Sequence, residues 1–404
     1  MRIIHTSDWH LGQYFFTKSR AAEHQHFLNW LIEQITLHHV DALIVAGDIF
    51  DTGAPPSYAR ELYNKFIVDL QQTGCQLVIL SGNHDSVSVL NESSELLRYL
   101  NTHVITSGGE PHIITLKGQH GQPTGLVCAI PFLRPRDIQT SVAGQTSEEK
   151  QLSLQTAIHD YYQHCYQRAV ELRKSLGLDI PIIATGHLTV VGAALTDSVR
   201  DIYIGTLDAF PSGAFPPADY IALGHIHRSQ VIGGQPHIRY SGSPIALSFD
   251  EAQQQKSVCL VEFDGHRFVD VTLLPIPVLQ PLQSLKGSLK ELEQQLDALK
   301  EQVSDQPVWL DIEVAPQDYL GDIQQRIEEI TQPLSVEVVR LRRARRLLQE
   351  QSNTKSNEAL SELTAEEVFS RRLAQESLED KELEQRLLQL FKQSYAILRS
   401  GQGE

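Results

Sequence analysis

Among its 404 residues the chain has only four cysteines, Cys75, Cys128, Cys165 and Cys259, and no two of them form a CxxC pair. That scarcity excludes a zinc ribbon or a thioredoxin-type redox motif and argues against a disulfide framework. The four thiols read as small buried hydrophobes in a reducing compartment. No apolar run reaches the length of about eighteen residues that a membrane-spanning helix needs. The opening "MRIIHTSDWH" lacks the basic flank and apolar core of a signal peptide, so the cytoplasm is the expected location. An excess of positive charge is missing too: 34 Lys and Arg face 50 Asp and Glu, a formal charge of -16. This argues against a histone-like, charge-driven binder of nucleic acid. It does not exclude an enzyme acting on nucleic acid, because a metal cluster or a local basic patch can override the net sign.

What is present is ordinary for a globular protein, 41% hydrophobic and 21% charged, and the length suggests two or three domains. Residues 1–275 alternate short β-rich runs ("RIIH", "DALIVAG", "CQLVIL", "HVITS", "IPIIATGH", "DYIALGHIH") with helical patterns such as "RAAEHQHFLNWLIEQITLH" and "SYARELYNKFIVDLQQ". A further helix is expected near "ESSELLRYL", opened by Asn91. "KSVCLVEFDGHRFVDVTLLP" reads as a hairpin turning at Asp264-Gly265. Such alternation implies an α/β domain with a mostly buried sheet.

Residues 276–340 read as a smaller αβαβ unit. Residues 341–404 read as a linker followed by two amphipathic helices. Arg340, Arg342, Arg343, Arg345 and Arg346 crowd into "RLRRARR" at the junction. The first terminal helix opens on a capping box, Thr364 with Glu367, and carries Leu363, Val368, Phe369 and Leu373. The second carries Leu383, Leu387, Leu390, Phe391 and Leu398. Two helices alone bury little, so their apolar faces either pack back on the main domain or dock a partner.

The chemistry gathers at the strand ends. Asp8 and His10 follow the first strand, Asp48 and Asp51 the second, and Asn83, His84 and Asp85 the third. His187 ends a later strand in "TGH", and His225 and His227 end another in "GHIH". Ligands of open α/β sheets bind beyond the carboxyl ends of the strands. Singly, a Gly-Asp or an Asn-His-Asp is a turn or a helix cap, and His-x-His is two exposed imidazoles. Five of them at apolar strand ends in one domain point to a shared site. Carboxylate, amide oxygen and imidazole without thiolate suit manganese, iron or zinc better than calcium or a structural zinc. Asp8, His10, Asp48, Asn83, His187, His225 and His227 are too many for one tetrahedral site. Two metal ions sharing a carboxylate would use them all.

This ordered set, Asp-x-His, Gly-Asp-x-x-Asp, Gly-Asn-His-Asp, Gly-His and Gly-His-x-His, resembles the calcineurin-like metallophosphoesterases over about residues 1–230. With the N-terminal "HTSDWHLG", the small αβαβ unit and the terminal helices, the whole chain is similar to the DNA-recombination nucleases of that family. The resemblance implies an α/β metallophosphoesterase sandwich with an αβαβ capping domain and C-terminal helices. It implies one divalent ion on Asp8, His10, Asp48 and His227 and a second on Asp48, Asn83, His187 and His225, manganese being the leading candidate. His84 would act on the phosphate as a general acid or charge stabiliser, and Asp51 would orient His84. Asp85 would only fix its loop.

The implied substrate is DNA, cut as an exonuclease on duplex ends and an endonuclease on single strands and hairpins. The implied partner is an SMC-like ATPase gripped by the helices around residues 360–398. A homodimer through helices near the site is also implied, with "SYARELYNKFIVDL" and "ESSELLRYL" as candidates, although helices that only cover the sheet would look the same. Arg134, Arg136 and Arg200 are basic loop residues that could meet phosphates or form surface salt bridges. Two other classes compete: a metallophosphatase or nucleotide phosphodiesterase acting on small molecules, and an interaction protein whose site is unused.

Overall fold

The computed structural model describes residues 1–344, except 119–120, 140–145, 201, 203–208, 300–305 and 316–322, together with Arg386, Leu387, Leu390 and Phe391. Met1–Ala344 forms one compact unit and Arg345–Glu404 a second. The expected terminal helices fall almost wholly outside the described residues.

Two six-stranded sheets face each other in the first unit. One runs, in spatial order, Arg267–Pro275, Ser257–Asp264, Arg2–Thr6, Ala42–Ala46, Gln76–Leu80 and Thr102–Ile105. The other runs Gln230–Ile232, Gln235–Tyr240, Tyr220–Gly224, Ile182–His187, Pro123–Cys128 and Ile113–Lys117. Successive side chains of a strand point to opposite faces, so a strand covered on both sides must be apolar throughout. "ALIVA" (42–46) obeys this. Ala42, Ile44 and Ala46 fill the layer between the sheets, while Leu43 and Val45 pack under the helices Ala21–Leu37 and Ser57–Leu70. On the far side, Leu154, Ile158, Tyr162, Cys165 and Ala169 of the helix Ser147–Leu176 cover the second sheet. The result is a four-layer helix–sheet–sheet–helix sandwich.

Sequence periodicity assigns no element between residues 107 and 179, yet the structure places this 30-residue helix there. Its start is signalled by a capping box, Thr146 with Glu149, and its end by Gly177 at φ 63°. The buried stripe is one residue per turn wide, too narrow to stand out from its polar surroundings. The helix expected to open at Asn91 is instead two short ones. Val87–Asn91 is capped by Ser86, and Ser94–Arg98 follows, with the Ser94 hydroxyl donating to the Asn91 carbonyl.

Within the first unit, residues 276–343 contain the expected helices, Leu289–Leu299 and Ile323–Thr331, and strands, Val308–Val314 and Val336–Arg343. They also include a third parallel strand, Leu282–Gly287. In that strand the buried residues, Leu282 and Leu285, lie three apart, which imitates helical spacing. Phe15, Phe249, Leu282 and Trp309 form an apolar cluster that joins the small sheet to the hairpin of Tyr14–Phe15 and Lys18–Ser19. Part of the arginine crowd is structural. Arg340 makes two bonds to Asp311, of 2.7 and 2.6 Å, and Arg342 lies 3.0 Å from Asp311 and 2.9 Å from Glu313.

Candidate metal centre

Every proposed ligand sits where a strand of one sheet or the other runs out at a common edge. A strand continued straight would carry its side chains past this edge, and the backbone turns sharply instead. Asp8 (φ 55°), His10 (48°), Asp48 (52°) and His225 (97°) all occupy positive φ. For residues with a Cβ this costs on the order of 1 kcal/mol or more each, and it persists only where surroundings over-determine it. Here they do. Asp8 and His10 donate backbone N–H bonds to the Gly47 and Asp48 carbonyls, at 2.9 and 3.0 Å, and the His225 N–H donates to the Asp8 carboxylate at 3.0 Å.

The glycines of the motifs are explained by the same convergence. A Cβ on Gly47 would lie 2.2 Å from the His187 ring, and one on Gly82 2.1 Å from the Asp48 carboxylate. On Gly224 it would lie 1.9 Å from the Ala46 carbonyl. Gly47 and Gly82 each let one chain segment pass against another's proposed ligand, and Gly224 lets its strand pass against the main chain just before Asp48.

The side chains gather into two end groups whose ligand atoms lie within 4.8 Å of one another, Asp8, His10 and His227, and Asp48, His187 and His225, and a third such group, His10, Asp48 and His84, overlaps both. Asn83 joins the second, its Oδ1 2.9 Å from His187 Nε2. Asp48 stands between them. Its Oδ2 is 3.2 Å from His187 Nε2 and 3.6 Å from His10 Nε2, while its Oδ1 accepts the His84 N–H at 2.9 Å. The carboxylates and imidazoles of both groups are buried.

Counting protons shows which lone pairs are free. The His187 Nδ1 lies 2.9 Å from the Ala46 carbonyl, which can only accept, so Nδ1 carries a hydrogen and Nε2 is the atom turned to Asp48 and Asn83. His10 Nδ1 likewise donates to the Asp51 carboxylate at 3.2 Å. The buried Nε2 atoms of His10 and His225 have no hydrogen-bond partner. Buried polar atoms without partners are costly, and here they point at buried carboxylates, which is the arrangement a cation would satisfy. Burial drives the His225 pKa far down, keeping it a neutral donor. Burial also disfavours charge on His187, but Asp48 outweighs it and pushes this pKa up to about 9. Burial opposes charge on Asp48 as well, and the His187 contact nevertheless holds its carboxyl well below the usual range. The donor set and its geometry fit divalent metal ions.

His84 packs edge-on against His10, ring centroids 4.8 Å apart. Its Nδ1 donates to the backbone carbonyl of Asp51 at 2.7 Å, whereas the Asp51 carboxylate turns to His10. The contact between Asp51 and His84 therefore runs through the main chain. Asp85 accepts N–H bonds from Ile49, Phe50 and Gly82 at 3.1, 2.9 and 2.8 Å, tying two ligand loops together. Arg134 spends its guanidinium on the Thr106 and Asp85 carbonyls, while Arg136 is exposed beside Asp137. Arg200 is exposed and contributes positive potential at Asp51 and His84. Residues that the motifs do not reveal also touch the site. Ser7 donates to Asp8 at 2.5 Å, and Ser198 bonds to His227.

The family model for calcineurin-like phosphoesterases matches residues 1–229. The SbcD component of the nuclease SbcCD from Escherichia coli (strain K12) is 56% identical over 391 residues, covering 97% of each chain. The chain belongs to the SbcD nucleases, within the calcineurin-like phosphoesterase family. The SbcD of Bacillus subtilis (strain 168) is 32% identical, over 80% of this chain and 81% of that one. The counterpart from Rhodobacter capsulatus is 36% identical, over 69% and 70%. A second family model, the type 5 capsule protein repressor C-terminal domain, matches residues 278–377 of this SbcD-family nuclease. Among the described residues no helix is long and apolar enough to cross a membrane.

Proposed function

We propose that this nuclease cleaves DNA phosphodiesters at a two-ion centre, with manganese as the preferred metal. Asp8, His10, Asp48 and His227 would hold one ion, and Asp48, Asn83, His187 and His225 the other. The observation that carries this reading is the Asp48 carboxylate standing between two buried donor groups. Bound there, the ions would supply the Lewis acidity that activates a water near neutral pH and offsets charge on the phosphate oxygens.

The chain's own residues do the rest. The seven ligands would hold the ions at one edge of the sandwich, where the reacting phosphate would meet them. His84, clamped through Nδ1 by the Asp51 carbonyl, leaves Nε2 free, and in its imidazolium form it would protonate the departing sugar oxygen or stabilise its charge. Asp51 thus contributes twice, its carbonyl to His84 and its carboxylate to His10.

The assembly we propose is cytoplasmic. It joins two copies of this chain to an SMC-like ATPase, SbcC, and works in DNA repair and recombination. The names of the relatives support the partner, and the matching lengths support a shared architecture. Val68, Leu96 and Tyr99, apolar yet exposed on or beside the helices Ser57–Leu70 and Ser94–Arg98, support pairing of two copies. We further propose that residues 1–275 form the nuclease domain and 276–340 its cap. Residues 341–404 would carry the ATPase-docking helices.

The test compares wild type with His84→Gln on end-labelled duplex DNA, with manganese, the partner ATPase and ATP present. Cleavage by wild type, lost in the variant while both ions stay bound, is the expected outcome. Turnover of small phosphodiesters without any cleavage of DNA would overturn the nuclease reading in favour of a small-molecule phosphodiesterase.

A further inference from the structure

His227 is held from behind by groups that no motif announces. Its Nδ1 lies 2.5 Å from the Ser198 hydroxyl, and that hydroxyl donates to Glu251 Oε1. Glu251 is fully buried and also accepts from Thr196 Oγ1 at 2.9 Å, the Leu247 N–H at 3.1 Å and Lys256 Nζ at 2.7 Å. Lys256 is itself buried and donates to the His227 backbone carbonyl at 2.9 Å. One buried ion pair therefore grips both ends of this residue, the ring through Ser198 and the main chain through Lys256.

The direction of these bonds follows from proton counting. Lys256 Nζ, the Leu247 N–H and Thr196 Oγ1 all point hydrogens at the Glu251 carboxylate, so it is an acceptor only. The Ser198 hydroxyl has one hydrogen and gives it to Glu251. Its oxygen must then accept from His227, which puts the imidazole hydrogen on Nδ1 and leaves Nε2 bare.

We propose that Ser198 and Glu251 are positioning residues that lock His227 in the tautomer able to bind a metal ion through Nε2. The proposal rests on the two-ion reading above for the identity of what Nε2 binds, but the tautomer itself does not depend on any ion. Partners behind a ligating histidine commonly change metal affinity about ten- to a hundredfold.

The test uses the full chain and manganese alone. Nitrogen-15 NMR of the metal-free protein is expected to show His227 with a protonated Nδ1 and a bare Nε2, a pattern lost in Ser198→Ala. Calorimetric titration of Ser198→Ala with manganese is expected to show one site weakened about tenfold or more. The site of Asp48, Asn83, His187 and His225 should be unchanged. Ser198→Thr, which keeps the hydroxyl, should restore both the spectrum and the affinity. An Nε2-protonated His227 in wild type, or unaltered binding at both sites in Ser198→Ala, would overturn the proposal. A wild-type chain with the expected tautomer that binds fewer than two ions would refute the two-ion reading and leave the tautomer lock standing.

Discussion

Asp48 concentrates the chemistry of this molecule in one side chain. One carboxylate oxygen caps the His84 N–H and the other stands between the two donor groups, while the backbone sits at φ 52°. Asparagine tolerates positive φ better than most residues, so Asp48→Asn should keep the backbone and remove the charge. Calorimetry with manganese is expected to show both sites weakened by at least about tenfold, comparable to losing a supporting group of a metal site. Loss at one site with the other untouched would contradict the bridging role. The motif Gly-Asp-x-x-Asp made Asp51 legible as a residue near His84. It could not say that the carbonyl makes the contact, because a motif records side-chain identity and this bond uses the main chain.

At the scale of elements, the strand ends were readable because both sheets are buried on two faces and their apolar runs stop abruptly at Gly-Asp, Gly-Asn and Gly-His. The long helix Ser147–Leu176 and the strand Leu282–Gly287 were not readable. One carries a stripe too thin to register, and the other carries leucines at a helix-like interval. The glycine before His225 makes the convergence testable. In Gly224→Ala the new methyl would meet the rigid Ala46 carbonyl at 1.9 Å and push the two sheets apart. Overpacking of this kind costs about 1–3 kcal/mol or more. Gly177, whose Cβ would meet open space but whose φ is 63°, should cost only about 1 kcal/mol when changed to alanine. Chemical denaturation of the two variants is expected to rank them in that order, with manganese binding impaired only in Gly224→Ala. Equal midpoints would show that the sheet edge is looser than its geometry implies.

For the whole molecule, the net charge of -16 and the engagement of Arg340 and Arg342 in ion pairs with Asp311 and Glu313 leave little free positive charge on the small sheet. DNA binding by charge alone would be weak and steeply salt-dependent on such a surface. A partner that shares the contact is the natural remedy. Deleting residues 355–404 is expected to leave manganese binding by the first compact unit intact and to abolish co-purification with the ATPase. Retained co-purification would place the docking surface elsewhere.

Sequence alone named seven candidate donors, their order along the chain and the α/β alternation that carries them to strand ends. Those properties are local, set by side-chain chemistry and by period-two burial. Tertiary structure decided the rest: which oxygen of Asp48 faces which histidine, which ring nitrogen carries the proton, and that Ser198 and Glu251 stand behind His227. Ser198 lies 29 residues from His227 and 53 from Glu251. No periodicity links positions so far apart. Only the folding of two sheets against each other, and the need to satisfy every polar group they bury, selects such partners.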